Sequence, residues 1–219
     1  MDFGAAIQRP FSDLKKFGIG TILVSIPVVN LIGSFFVSGF AVQAAKMTLS
    51  KKKGLPEWNN WIPMFVNGFK SVLITLSYMI PFLIALFVTI DPLIFAGWAA
   101  FANEIDSIWL LLFVVLPLFL LALYILPMAL MNFVSKGLFG AAFDFGVILP
   151  KVLRLKYLGH WILLNLYFLV ICVGYFLVSM VLLFIPFIGQ VLQLLLAGAM
   201  AYMIQITSFT LFAELYSEK

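Results

Sequence analysis

Few side chains in this 219-residue sequence could carry acid–base, nucleophilic or metal chemistry. It has one histidine, His160, and one cysteine, Cys172. Any Ser–His couple would have to use His160, which stands near Lys156 and beside Trp161. A histidine in that company reads as a lipid-headgroup contact. A zinc site draws several ligands from Cys and His, and one residue of each does not make a set. A single cysteine closes no intrachain disulfide. No H-E-x-x-H, G-x-S-x-G or P-loop pattern occurs, and no pair of aspartates falls within an apolar run. The residues therefore point to a protein that is not an enzyme and takes no cofactor or metal. The polarity deep in the apolar runs is amide and hydroxyl: Asn132, Asn165, Gln193, Gln205, Ser179 and Thr207. Such groups are expected as interhelical hydrogen-bond partners, with Asn132, Asn165 and Gln193 the candidate buried polar contacts. A water-accessible cavity reaching any of these three would favour a solute path, and a dry packed bundle would oppose one.

The segments that must position these groups follow from composition. Hydrophobic residues make up 64% of the chain and charged residues 10%, with a mean hydropathy of +1.17. Soluble domains carry about 25% charged residues, so a water-soluble fold is excluded. The fold expected is all-α: one polytopic helical membrane domain over residues 1–219. The net charge of +4 is scattered between apolar runs rather than clustered on a folded face, which argues against nucleic acid. Lys15 and Lys16 followed by an apolar run resemble the start of a signal peptide. The apolar character continues to Phe40 without a small-x-small cleavage pattern, so the segment is read as retained.

A hydrocarbon core of ~30 Å needs about 20 helical residues. Four runs qualify: Phe65–Ile90, Ile108–Val134, Leu158–Ile185 and Gln190–Ala213. Lipid-exposed backbone must be helical, and Pro81, Pro117 and Pro127 are expected to kink these helices. The first apolar stretch, Phe17 to Met47, reads either as one long helix or as a hairpin turning at Ile26-Pro27-Val28-Val29-Asn30. Positive charge prefers the cytoplasmic side, and this rule arbitrates. A hairpin puts Lys15, Lys16 and Lys51–Lys53 on one side with the remaining basic residues. The opposite loop then holds Asp91, Glu104 and Asp106 with no Lys or Arg. The hairpin is therefore expected, re-entrant or short because its first arm is only about 10 residues long. Both termini are then cytoplasmic in a multi-pass cell-membrane protein. Ile26-Pro27 and Ile185-Pro186 are each followed twelve residues after the proline by a glycine, Gly39 and Gly198, and Ile80-Pro81 repeats the dipeptide. This suggests degenerate repeats at about 3–50, 55–135 and 136–216.

Residues 3–17 set Phe3, Ile7, Leu14 and Phe17 on one helical face and Arg9, Asp13 and Lys16 on another, with Pro10 dividing the segment. Residues 136–149 oppose Phe139, Phe143 and Val147 to Lys136, Gly140 and Asp144. Both patterns fit amphipathic helices lying in the interface. Lys151, Arg154, Lys156 and His160 are expected to contact headgroups, where each basic residue gains on the order of 1 kcal/mol near anionic lipid. Ser34, Ser38, Ala41 and Ala45 form one small-residue stripe and Ala197 and Ala201 another, suited to close helix packing.

The most distinctive stretch is GLPEWNNW, residues 54–61. Asn60 can cap a helix whose first turn holds Trp61, Ile62 and Pro63. Trp58 and Trp61 beside Lys51, Lys52 and Lys53 read as an aromatic belt, with Glu57 able to pair with any of the three lysines. This is an interfacial anchor rather than a binding site. LPEWNNW with Phe65, Gly68 and Lys70 resembles the signature of an uncharacterised prokaryotic membrane family, domain of unknown function 4013, and Pro127 through AAFDFG (141–146) to Tyr157 is similar to its second half. The resemblance implies a multi-helix membrane protein and no activity. Two functions fit: a non-catalytic membrane subunit or scaffold packing against lipid, a membrane protein partner or its own copies, or a small permease or channel for a neutral or apolar solute.

Overall fold

A computed structural model describes residues 3–52, 54–95 (backbone alone from 90) and 109–218. The acidic side chains of Asp91, Glu104 and Asp106, together with Lys53 and Lys219, lie outside the described residues. Every regular element among the described residues is helical. In chain order these are α1 (Phe3–Gln8), a 3-10 turn (Arg9–Ser12), α2 (Leu14–Ser25), α3 (Pro27–Leu49) and α4 (Trp61–Phe95). A π segment (Leu111–Val115) then leads into α5 (Leu116–Lys136), a second 3-10 turn (Phe139–Phe143), α6 (Phe145–Val152), α7 (Leu155–Leu182) and α8 (Ile188–Ser217).

Local chemistry sets the boundaries. Pro10 divides the N-terminal segment as expected, and the Asp13 carboxylate caps α2 by accepting from the N–H groups of Lys15 and Lys16 at 3.0 and 3.1 Å. Ile26 is extended between α2 and α3, and Pro27 opens α3, where its missing N–H costs nothing. Pro117 removes a donor and its ring crowds the carbonyl four residues back. The chain answers by widening, and the Leu116 N–H reaches Leu111 O five residues back. Gly137 ends α5 at φ 71°, a left-handed conformation that glycine adopts freely, and donates to Phe133 O at 2.7 Å.

Among the described residues five helices, α3, α4, α5 (with its π segment), α7 and α8, are long and apolar enough to cross a bilayer. Run length in the sequence predicts four full spans, with α3 in the N-terminal hairpin. The chain does fold back at Ile26: the Leu23 carbonyl lies against Gly33, too close for a Cβ on that residue. Two collinear helices would hold these residues about 15 Å apart. The arms are unequal, 12 residues in α2 against 23 in α3, and it is this long return arm that qualifies as a fifth span by length.

The packing register locates the hairpin tip. Gly39 of α3 lies against the Met64 backbone of α4, and Gly68 of α4 against the Phe35 carbonyl. Extending this antiparallel register sets Pro27 level with Leu76, so α4 runs about 28 Å farther, to Phe95. On the other flank, Ser25 and Thr21 meet Gly198, and α8 begins ten residues, or about 15 Å, beyond. The tip therefore stops well short of the far ends of its neighbours.

The core lies at the opposite end. Phe40, Met64, Met131, Phe133, Tyr202 and Leu211 are fully or almost fully buried there. Ser38, Ala41 and Ala45 of the first small-residue stripe are buried and Ser34 half-buried. Ala201 of the second stripe is exposed, because the α2–α8 approach is made by Gly198 instead. The 136–149 segment, expected as an amphipathic interfacial helix, folds into the end of α5, the second 3-10 turn and the start of α6, with Lys136 and Asp144 paired at 2.9 Å. That hydrogen bond and charge hold the Asp144 carboxyl below its usual range.

Candidate functional site at the basic end of the bundle

The GLPEWNNW stretch closes the base of the hairpin. Trp58 stacks on Phe40 of α3 with ring centroids 4.1 Å apart, and its indole N–H donates to Lys16 O at 3.2 Å. Trp61 stacks on Trp58 at 5.6 Å and meets Phe36 edge-on at 5.3 Å. Glu57, expected to pair with Lys51, Lys52 or Lys53, pairs with Lys16 at 2.5 Å, and among the described residues neither Lys51 nor Lys52 joins it. The physical reason is the fold-back, which brings the first turn of α2 beneath the loop while Lys51 and Lys52 are carried outward by the end of α3. Lys16 also donates to Leu55 O at 3.2 Å. Trp61 is exposed. Trp58, expected in the outer belt, instead packs inward as a clasp.

Arg9, expected on the polar face of the 3–17 segment, turns inward to the bundle. Its guanidinium donates to Gly54 O at 2.8 Å, to Ala44 O and Thr210 Oγ1 at 3.1 Å, and to Thr48 Oγ1. It thereby ties the N-terminal segment to α3, to the loop after α3 and to α8. Burial lowers its pKa, and the nearby charge of Glu214 opposes that shift. A rigid fork of donors suits this task where a lysine would not. The only sequence signal was that arginine occurs twice in the chain, at positions 9 and 154. A cavity of about 570 Å³ opens beside it, lined by Arg9, Ser12, Lys51, Lys52, Thr210 and Glu214 among others.

The second basic group gathers where α6, α7 and α8 end together. Lys151 donates to Tyr216 O at 2.7 Å, with its ammonium 4.1 Å from the Tyr216 ring centroid. Arg154 donates to Glu218 O at 3.2 Å, and Lys156 pairs with the Glu218 carboxylate at 2.5 Å. The structure therefore brings together Lys151, Arg154 and Lys156 around a crevice of about 240 Å³. His160 is half-buried, with Nδ1 2.7 Å from Lys156 O in its own helix.

One turn deeper, between α5, α7 and α8, lies an apolar cavity of about 170 Å³. Pro127 makes room for it. Lacking an N–H, Pro127 leaves the Leu123 carbonyl without its helical donor, and the Trp161 indole supplies one at 3.3 Å. Tyr157 OH donates to the adjacent Tyr124 carbonyl.

The three amides expected as buried contacts separate. Asn132 is fully buried, donating to Ala141 O and accepting from Tyr216 OH, both at 2.7 Å. It ties α5 to the 139–143 turn and to α8. Gln193 is half-buried and donates to Ser179 O at 2.9 Å, joining α8 to α7. Asn165 is not buried. It donates to Trp161 O in its own helix at 2.8 Å and stands exposed at the mouth of the apolar cavity. Helical periodicity places a residue on a face, but which face meets lipid depends on the neighbours. Among the described residues, no three His, Cys, Asp or Glu side chains are grouped so as to hold a metal ion.

A family model described as "Protein of unknown function (DUF4013)" matches residues 22–183. Comparison with curated proteins and with solved structures gives no match.

Proposed function

Because the chain belongs to the DUF4013 family of proteins of unknown function, its role must be argued from its own geometry, and we propose that it is a non-catalytic membrane subunit or scaffold that packs against lipid or partner proteins. The observation that supports this reading most directly is the employment of the amides between helices. Asn132 binds a backbone carbonyl and Tyr216, Gln193 binds Ser179 O, and Gln205 binds Ser38 Oγ at 2.7 Å. Polar groups that could line a solute path instead join helices. The apolar windows of α4 and α7 are almost wholly exposed, as helices presented to lipid or to another membrane protein would be. With the basic end toward the cytoplasm, the charge distribution obeys the positive-inside rule.

A second reading has one observation behind it. The cavity beside Pro127 reaches Asn165, and transporters do place sites at broken helices. A permease or channel for a neutral or apolar solute would use it. However, its α7 lining runs from Trp161 to Phe168, about 10 Å of a helix about 42 Å long.

Purification of the tagged chain from its native membranes in mild detergent, with mass spectrometry of what accompanies it, tests the proposal. A stoichiometric membrane protein is expected. A homo-oligomer carrying a small neutral molecule, with no partner, would overturn the subunit reading in favour of the permease.

A further inference from the structure

The cationic crevice and the apolar cavity belong to one three-helix junction and lie one above the other. On α7 the crevice is lined by Tyr157 and the cavity by Trp161, and on α8 by Leu215 and Phe212, in both cases with the cavity about one turn deeper, while on α5 Met128 of the crevice adjoins Pro127 of the cavity. Tyr157 shares the face of α7 that carries Trp161, Leu164 and Phe168. Its ring, which lines the crevice, meets Phe212, which lines the cavity, with centroids 5.7 Å apart, so the two spaces adjoin at this pair. Both open at the surface, the crevice where Arg154 and Lys156 are exposed and the cavity where Asn165 is exposed.

Their chemistries differ in the sense an amphiphile requires. The crevice gathers three cations around one described carboxylate, Glu218. Lys151 is destabilised as a cation by burial and then by the charge of Arg154, a repulsion that an anion would relieve. Arg154 occupies the N-cap of α7 without a side-chain acceptor, so the positive end of that helix also faces the crevice. The cavity is apolar apart from Asn165 and Ser208. Apolar cavities of similar size, about 150 Å³, stay dry and take benzene-sized hydrocarbon.

We propose that this junction binds one anionic phospholipid, its phosphate held by Lys151, Arg154 and Lys156 and the start of one acyl chain seated in the cavity beside Pro127. The proposal rests on the membrane reading above only in placing the basic end at headgroup level. It holds whether or not a partner protein is found, so a protein that purifies without a partner yet retains anionic lipid separates the two.

The test is competition on the full-length purified protein. Phosphatidylglycerol and phosphatidylcholine are supplied in equal amounts, and bound lipid is read by native mass spectrometry. Wild type is expected to retain one phosphatidylglycerol in preference to phosphatidylcholine, with inorganic phosphate failing to displace it. Arg154→Gln with Lys156→Gln should lower that preference by about tenfold or more. Ser208→Leu, which fills the cavity and leaves every charge in place, should weaken retention of both lipids; it also keeps the test open if the charge variant fails to fold. Equal retention of the two lipids by wild type would overturn the proposal. So would full displacement by phosphate, which marks a free-anion site, or unchanged retention by a folded Ser208→Leu protein.

Discussion

At the scale of single residues, glycine carries more of this structure than its chemistry suggests. A Cβ on Gly68 would collide with the Phe35 carbonyl, and one on Gly39 with the backbone of Met64, so the two glycines set the α3–α4 crossing. Gly174 and Gly159 have open space around the missing Cβ. Gly68→Ala is therefore expected to destabilise by about 1–3 kcal/mol, as overpacking does. Gly174→Ala should stay within about 0.5 kcal/mol of wild type. Thermal unfolding of both variants in the same detergent checks this, and equal melting temperatures would refute the crossing argument. Trp58 and Phe40 form the other residue-scale contact of weight. Phe40→Ala should cost about 3–5 kcal/mol because the ring is fully buried. Glu57→Gln should cost at most about 1 kcal/mol, since the Glu57 side chain is 67% exposed and surface pairs contribute little. The sequence marked Trp58 and Glu57 as notable by type, yet did not point to Phe40 and Lys16 as the residues they meet. A side chain's partner across forty residues is fixed by the path of the backbone, which local pattern does not contain.

At the scale of elements, α5 shows how a proline break is made tolerable. Pro127 strips Leu123 O of its helical donor, and Trp161 of α7 replaces it. With Pro127 in place, Trp161→Phe leaves the part-buried Leu123 carbonyl unpaired, at about 1 kcal/mol or more. With Pro127→Ala the helix can supply its own N–H, so the same tryptophan change should cost about 1 kcal/mol less, a coupling measurable by a double-mutant cycle. Strict additivity would show that the indole is not standing in for the missing donor. The sequence foretold a disturbance at Pro127 and Pro117. It could not foretell that one would become a π turn and the other a cavity, because that depends on which helix packs alongside.

At the scale of the whole molecule, the unequal hairpin is the feature with most consequence. If its tip ends about 15 Å or more short of the far ends of α4 and α8, it re-enters rather than crosses. In a Cys172→Ser background, a cysteine at Lys52 should be labelled by a membrane-impermeant reagent only from the cytoplasmic side. One at Val28, at the tip, should be shielded from both sides. Labelling of Val28→Cys from outside intact cells would make α3 a true span, with α2 returning beside it.

Composition and spacing alone determined that this chain is a helical membrane protein, roughly where its long helices run, and that Ile26-Pro27 breaks the first of them. Those properties are sums over local residues: hydrocarbon thickness sets helix length, and proline acts on its own turn. Tertiary structure decided the rest. It turned Arg9 from a topological charge into a tie between three segments, exposed Asn165 while burying Asn132, and stacked a basic crevice over an apolar cavity. Each of these depends on which helix faces lie against one another. With no hydrophobic drive between helices in lipid, those faces are chosen by close backbone approach and a few polar bonds, contacts between residues far apart in the chain.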